Sequence, residues 1–201
     1  GKVISKTDFI EIDKTVIEET LKSFKGNILQ QPPMFSALKH EGEPLYKLAR
    51  KGIDIERKSR EVNIYDIELL NINMPYVAFR AVCSKGNYIR TLCDDIGKKL
   101  GVGAHLCELE RTGIGPFKIQ ESLSIEELKK LKINESDNKG VYRMDEALSW
   151  MPELKIDDIT VKAVKHGNSI KMTEELVFSA AMKTAPGIRI KSPDGSLLAI
   201  G

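Results

Sequence analysis

The run CSKGNYIRTLCDDIG, Cys83 to Gly97, brings a lysine, a tyrosine, an arginine and two aspartates close together. Ile89, Leu92, Ile96 and Leu100 recur at a helical period. Asn87 is the expected N-cap and Gly101 the expected stop, so Arg90 falls in the first turn. The helix dipole is positive there, and a cation costs roughly 0.3–1 kcal/mol. One reading offsets this with a nearby surface acid. Asp94 lies four residues on and is the expected local partner. The other reading gives Arg90 a buried carboxylate or a phosphate. Gly86 allows close backbone approach just before it. A metal site from Asp94 and Asp95 is not expected: adjacent helical residues point apart, and no further ligand cluster accompanies them.

A second set of chemistry-bearing residues runs from Met34 to Arg60. Lys39, Lys47, Arg50, Lys51, Arg57, Lys58 and Arg60 outnumber Glu41, Glu43, Asp54 and Glu56. Phe35, His40 and Tyr46 are interspersed. Basic residues mixed with aromatics suit single-stranded or stem-loop RNA. An ordinary solvated loop and helix would carry the same composition. His40, His105 and His166 form no metal triad, and there is neither a Ser-His-Asp order nor a phosphate loop.

The elements that position these residues follow from pattern. Asp13 caps a helix with Ile17, Leu21 and Phe24 on one face, and Gly26 ends it. Asn27 to Pro44, with three prolines, reads as one long connection, a class that is usually functional or disordered. Pro44 then opens a short helix, LYKLARKG, that stops near Gly52. EVNIYDIELL is a strand whose alternation slips near Tyr65, the mark of a bulge. YVAFRAVCS alternates as a half-buried strand should. After the Arg90 helix, Gly103 to Phe117 reads as a strand with a Gly-rich exit. Ser124 and Glu127 form a capping box for IEELKKLK. NESDNKG, Asn134 to Gly140, is the candidate linker, followed by a short helix in YRMDEALSWM. DITVKAVKHGNSIK and GIRIKSPDGSLLAIG read as β-hairpins turning at HGN and SPDG. The expected architecture is α+β over 1–138, then a small β-rich domain over 139–201.

Bulk properties exclude several classes. A net charge of +2 over 201 residues confines any nucleic-acid surface to a local patch. Cys83, Cys93 and Cys107 form no CxxC pair and are odd in number, which favours reduced thiols. No apolar run reaches the ~18 residues of a membrane span. GKVISKTDFIEID lacks a signal-peptide core, so a cytoplasmic location and no membrane partner are expected.

QQPPMFSALKHEGEPLYKLARKGI and CSKGNYIRTLCDDIGKKLGVGAHLCELERTGIGPF together resemble the bacterial TruB family of tRNA pseudouridine synthases, from about Phe24 to Phe117. K-G-x-Y-I-R-T-L with G-A-H-x-x-x-L-x-R-T is a specific combination. The resemblance implies an isomerase that converts the T-arm uridine of tRNA to pseudouridine, without cofactor or metal, as a monomer. It implies that Arg90 pairs with the catalytic aspartate, holding it ionised and oriented. Tyr88 and Leu109 would support the active site, Leu109 packing on the flipped base. The Pro-Pro loop would be a mobile thumb, with Ser36, Lys39, His40, Tyr46 and Arg50 as RNA contacts, and Lys85, which opens the active-site motif, as a further one. Residues 139–201 would be a PUA-like RNA-binding domain. Phe35 and Asn87 stand where many members carry tyrosine and threonine.

The family's catalytic aspartate lies in a G-x-L-D-P-x-A-[TS]-G motif, and no such stretch occurs between Gly1 and Gly201. The expectation is therefore an incomplete catalytic domain, inactive alone. Two other readings stand beside it: a guide-RNA-dependent pseudouridine synthase subunit, and a non-catalytic RNA-binding module.

Overall fold

The computed structural model describes residues 3, 5–7, 11–130, 140–170 and 185–201. The chain divides into two compact units, Gly1–Leu109 and Glu110–Gly201. That division falls earlier than the 138/139 boundary expected from sequence, whose residues lie outside the described set. The hairpin near Phe117 groups with the later residues, as the edge contact of Phe117 with Tyr142 illustrates (ring centroids 5.2 Å apart).

Unit 1 is a three-stranded antiparallel sheet covered by two helices. Helix α1 (Lys14–Lys22) is capped by Asp13, whose carboxylate accepts the Thr15 N–H at 2.7 Å. Strand β1 (Gly26–Gln30) follows directly, so the long connection expected from Asn27 is strand at its start. The rest narrows to a miniature hairpin, β2 (Lys39–His40) and β3 (Glu43–Pro44). Glu41 and Gly42 both have positive φ at its turn, as a tight two-residue hairpin requires. Helix α2 (Leu45–Arg50) has Pro44 as its N-cap and Gly52 at φ +75° just beyond its end. Strands β4 (Arg60–Asn73) and β5 (Tyr76–Cys83) form the long ribbon, in the sheet order β1-β4-β5.

The expected bulge is present. Ile64 pairs Cys83 and Asp66 pairs Val82, leaving Tyr65 as the extra, exposed residue. A second register shift between Leu69 and Asn71 was not visible in the alternation. Val77, Phe79, Ala81 and Cys83 of β5 pack towards the core. Helix α3 (Ile89–Lys99) supplies Leu92 and Ile96 to it, meeting Ile17 and Leu21 of α1 and Ile64 and Ile67 of β4. This places the start of α3 beside the end of β1, which is where the candidate site lies.

Two expectations fail after α3. Residues 103–112 form no strand, because nothing among the described residues pairs with them in a ladder. Only the hairpin β6 (Gly113–Ile114) and β7 (Phe117–Lys118) appears there. Helix α4 (Ile125–Lys130) carries the expected capping box: Glu127 accepts the Ser124 N–H at 2.8 Å and Ser124 Oγ accepts the Glu127 N–H at 3.2 Å.

Unit 2 continues with helix α5 (Met144–Ala147), strand β8 (Glu153–Lys155), helix α6 (Asp158–Lys165), and strands β9 (Arg189–Lys191) and β10 (Leu197–Ile200). The segment expected to be a hairpin at HGN is α6 instead. Asp157 caps it through the Thr160 N–H at 2.7 Å, and Val161 and Val164 face one core. Gly167 at φ +77° and the bond from Asn168 N–H to the Ala163 carbonyl end it as a Schellman motif. The SPDG hairpin forms as expected, with β9 between β10 and a parallel β8.

Strand β9 is covered on both faces. Ile188 and Ile190 join the apolar cluster, while Arg189 and Lys191 are buried on the other side. Lys191 Nζ lies 2.7 Å from Asp145 and 3.2 Å from Glu153, and Arg189 Nη1 lies 2.8 Å from Asp145. The Lys191 ammonium, then the Arg189 guanidinium, hold the Asp145 carboxyl below its ordinary value of 3.8. A carboxyl depressed on folding stabilises above its unfolded pKa, and that stability is lost as pH falls through the folded one. Unit 2 should therefore lose stability on acidification below about pH 4, the ordinary carboxyl range. Asp145→Asn should be less stable at neutral pH and should show a shallower acid decline. Unfolding followed by the fluorescence of Trp150, the single tryptophan, checks this.

Candidate functional site

The start of α3 is held by side chains from outside the helix. Asn87 is not its N-cap: the half-in residue is Tyr88, at φ −108° and ψ 103°, with no side-chain cap of its own. Gln30, at the end of β1, does that work. Its Oε1 accepts the Tyr88 N–H at 2.7 Å, and its Nε2 donates to the Tyr88 carbonyl at 3.2 Å and to Asn87 Oδ1 at 3.3 Å. A cap supplied by another element leaves no local sequence signal, so the nearest Asn was the natural expectation.

Arg90 follows in the first turn, as expected, and is exposed. Its Nη2 donates to the Phe35 carbonyl at 2.6 Å. Asp94 is not its partner; Asp94 pairs with Lys98 at 2.6 Å, one turn on. The i,i+4 spacing fits both pairs, and Asp-to-Lys in the N-to-C sense agrees with the dipole whereas Arg90-to-Asp94 opposes it. Among the described residues no carboxylate neutralises Arg90. The guanidinium is thus fixed at one nitrogen, with donors left over, at the positive end of a helix.

Next to it, Thr91 Oγ1 lies 3.5 Å from the Gln31 carbonyl. The loop is closed at its base by Arg57, which donates to the Pro32 carbonyl at 3.2 Å, while Gln31 Nε2 donates to the Arg57 carbonyl at 3.1 Å. Arg57 was counted among the basic loop residues; here it fastens the loop. Between loop and helix lies a cleft of about 420 Å³ lined by Pro32, Pro33, Arg57, Thr91, Asp95 and Lys98, among others. Burial pushes the Asp95 carboxyl up, with Lys98 working against it and Asp94 adding to it. Among the described residues no His/Cys/Asp/Glu group is arranged to hold a metal ion.

The expected RNA contacts of the loop and α2 fall into one small module. Ser36 accepts the Tyr46 N–H at its carbonyl at 3.1 Å, and Leu38 accepts the Leu45 N–H at 2.7 Å, folding α2 back on the loop. The Arg50 guanidinium lies over the Tyr46 ring, 5.5 Å from its centroid. Lys39 and His40 are exposed on β2. Lys51 is taken by Glu43 at 2.7 Å, whereas Lys39, Lys47, Arg50 and Lys58 meet no carboxylate among the described residues. Ser36 is buried and its hydroxyl has no hydrogen-bond partner among the described residues. Lys85 is exposed in the turn before α3, where Gly86 takes φ +85°. Leu109 stands apart from these residues, 65% exposed on the unpaired 103–112 segment.

Residues 1–89 match the TruB family pseudouridylate synthase (N terminal domain). Residues 90–151 match the tRNA pseudouridylate synthase B C-terminal domain. A tRNA pseudouridine synthase B of Clostridium tetani (strain Massachusetts / E88) is 46% identical over 171 residues, covering 85% of this chain and 58% of that protein. One from Clostridium kluyveri is 46% identical over 185 residues, covering 91% and 61%. A chain in the crystal structure of a Cbf5-Nop10-Gar1 complex superposes with a TM-score of 0.69 at 30% identity, covering 95% of this chain and 55% of that one. This chain spans about three fifths of the length of the curated relatives it matches. With two adjoining family models over residues 1–151 and relatives 46% identical over most of its length, the chain belongs to the TruB family of pseudouridylate synthases.

Proposed function

We propose that the complete gene product isomerises one uridine in the T-arm stem-loop of tRNA to pseudouridine. The observation that carries this reading is Arg90: a cation held at the positive end of α3, unneutralised among the described residues, inside the motif K-G-N-Y-I-R. Its function is to receive the catalytic carboxylate, which is expected in residues the longer relatives possess. The reaction breaks the bond from ribose to uracil nitrogen, turns the base, and rejoins it through carbon; the displaced carbon-bound proton leaves to solvent and the freed nitrogen takes up one in its place. The target must leave its stack for this to occur. Tyr88 and Leu109 serve the flipped base. Lys39, His40, Tyr46, Arg50 and Lys85 contact the RNA, and Ser36 does so once the loop opens. Residues 139–201 act as a PUA-like RNA-binding part. The enzyme works in the cytoplasm as a monomer, with neither cofactor nor metal.

Curated relatives at 46% identity named as tRNA enzymes favour this over a guide-RNA-dependent subunit, which the 30% structural likeness alone would suggest. Tritium release from T-arm RNA labelled at the exchanging carbon tests it. The complete gene product should release tritium; failure to do so overturns the reading. The 201-residue chain alone should not turn over, because an arginine supplies neither nucleophile nor base. Release by that chain would assign the chemistry to a carboxylate of its own.

A further inference from the structure

Gln30 is only 2% exposed and is among the largest fully buried side chains. Glutamine is seldom buried to this degree, and a buried amide must be hydrogen-bonded. A Leu or Met would fill the same space between β1 and α3 without that demand. What the amide adds is a two-bond pairing with one residue. It accepts the Tyr88 N–H and donates to the Tyr88 carbonyl. This copies the reciprocal pairing of facing residues in an antiparallel ladder. Both peptide planes of Tyr88 are thereby fixed, one on each side of its α-carbon. The Tyr88 carbonyl also accepts the Leu92 N–H at 3.0 Å, the first bond of α3. Gln30 therefore sets where the helix begins. The same start sets the direction in which Arg90 leaves the first turn.

We propose that Gln30 is a positioning residue of the isomerisation, acting through Tyr88 and Arg90; the inference rests on the functional reading above. Gln30 touches neither substrate nor reacting atoms in this role. It holds the two groups that do to a fraction of an ångström, the tolerance such sites need. The pattern that encodes it is a glutamine closing a strand directly before a Pro-Pro loop.

The test uses the complete gene product with Gln30→Met, which keeps the volume and loses every bond, and Gln30→Glu, which keeps the acceptor for the Tyr88 N–H. Four quantities are read: thermal unfolding, affinity for T-arm RNA, single-turnover rate at saturating RNA, and amide exchange of Tyr88. Gln30→Met should unfold cooperatively and bind RNA within about threefold of wild type. Its rate should fall by about 10²-fold, the loss expected from a misplacement near 1 Å. Its Tyr88 amide should exchange at least tenfold faster. Gln30→Glu should keep Tyr88 protected and lose about tenfold in rate. A folded Gln30→Met with a rate within threefold of wild type overturns the proposal. So does a loss carried by RNA affinity instead of rate. If Gln30→Met does not fold, Gln30→Glu decides: a tenfold slower rate at unchanged affinity supports the role, and an unchanged rate refutes it. If the wild type itself shows no turnover, the functional reading falls. Tyr88 exchange in Gln30→Met then decides the clamp alone, faster exchange than in wild type supporting it and unchanged exchange refuting it.

Discussion

Arg90→Lys in the complete gene product is expected to lower turnover by roughly 10²–10⁴, the range over which positioned acid–base and electrostatic groups act. RNA affinity should stay within a few-fold. The charge survives the substitution, so long-range attraction for the phosphate backbone is nearly unchanged. What lysine lacks is the planar fork. Arg90 uses one nitrogen for the Phe35 carbonyl and still has donors to orient a carboxylate. Lysine is a single point of charge on a flexible stem and cannot do both in one fixed geometry. The helix gains nothing in exchange, because both cations sit badly in a first turn. Single-turnover kinetics on T-arm RNA with a parallel binding titration reads the two effects separately. Turnover within threefold of wild type would make Arg90 a loop fastener and no more.

The second large effect concerns Gly97. In a solvent-facing helix interior, Gly→Ala stabilises by about 1 kcal/mol. Gly97 should do the reverse. A Cβ built there lies 2.1 Å from the Ala104 nitrogen and 2.3 Å from the Gly103 carbonyl carbon. These are backbone atoms and cannot swing aside. They are also tied to the same residue, since the Gly97 carbonyl accepts the Gly103 N–H at 2.9 Å and the Val102 N–H at 3.2 Å. Gly97→Ala must push the 102–104 turn off α3, an overpacking change that costs about 1–3 kcal/mol. Urea denaturation should show a lower midpoint at constant slope. A raised midpoint would mean that the chain does not cross the helix there. The displaced turn leads to Leu109, so the substitution should also slow the reaction without touching Arg90.

Much of unit 1 was legible because its signals are local. Asp13 and the Ile17/Leu21 face announce α1, the slip at Tyr65 announces the bulge, and Gly101 closes α3. The misreadings at the site share one cause: a partner distant in sequence. Gln30 reaches Tyr88 from another strand, so the cap was assigned to Asn87. Arg57 closes the loop base from beyond α2. Ile159, Val161 and Ala163 alternate like a strand, while the Asp157 cap and the Val161–Val164 spacing decide for helix. Arg189 and Lys191 lie in the expected hairpin, and their burial against Asp145 of α5 leaves no local signal. The candidate site was legible as a motif, and its connections were not. Tyr88 and Arg90 can be picked out by type and spacing, whereas the atoms that aim them belong to Gln30 and Phe35.

The packing around α3 also has a chemical clock in it. Cys93 is buried on α3, and burial pushes its thiol up to about 11, with Cys107 adding to the rise. Thiolate is the reacting species, so near neutral pH Cys93 is doubly shielded, by access and by protonation. Cys107 lies exposed on the 103–112 segment beside His105. An alkylating reagent should therefore consume Cys107 first and Cys93 last. With reagent in excess, the final step proceeds no faster than the opening that uncovers α3 at Cys93. The thiols thus time, without any engineered label, how often the helix that carries Arg90 lets go of its support.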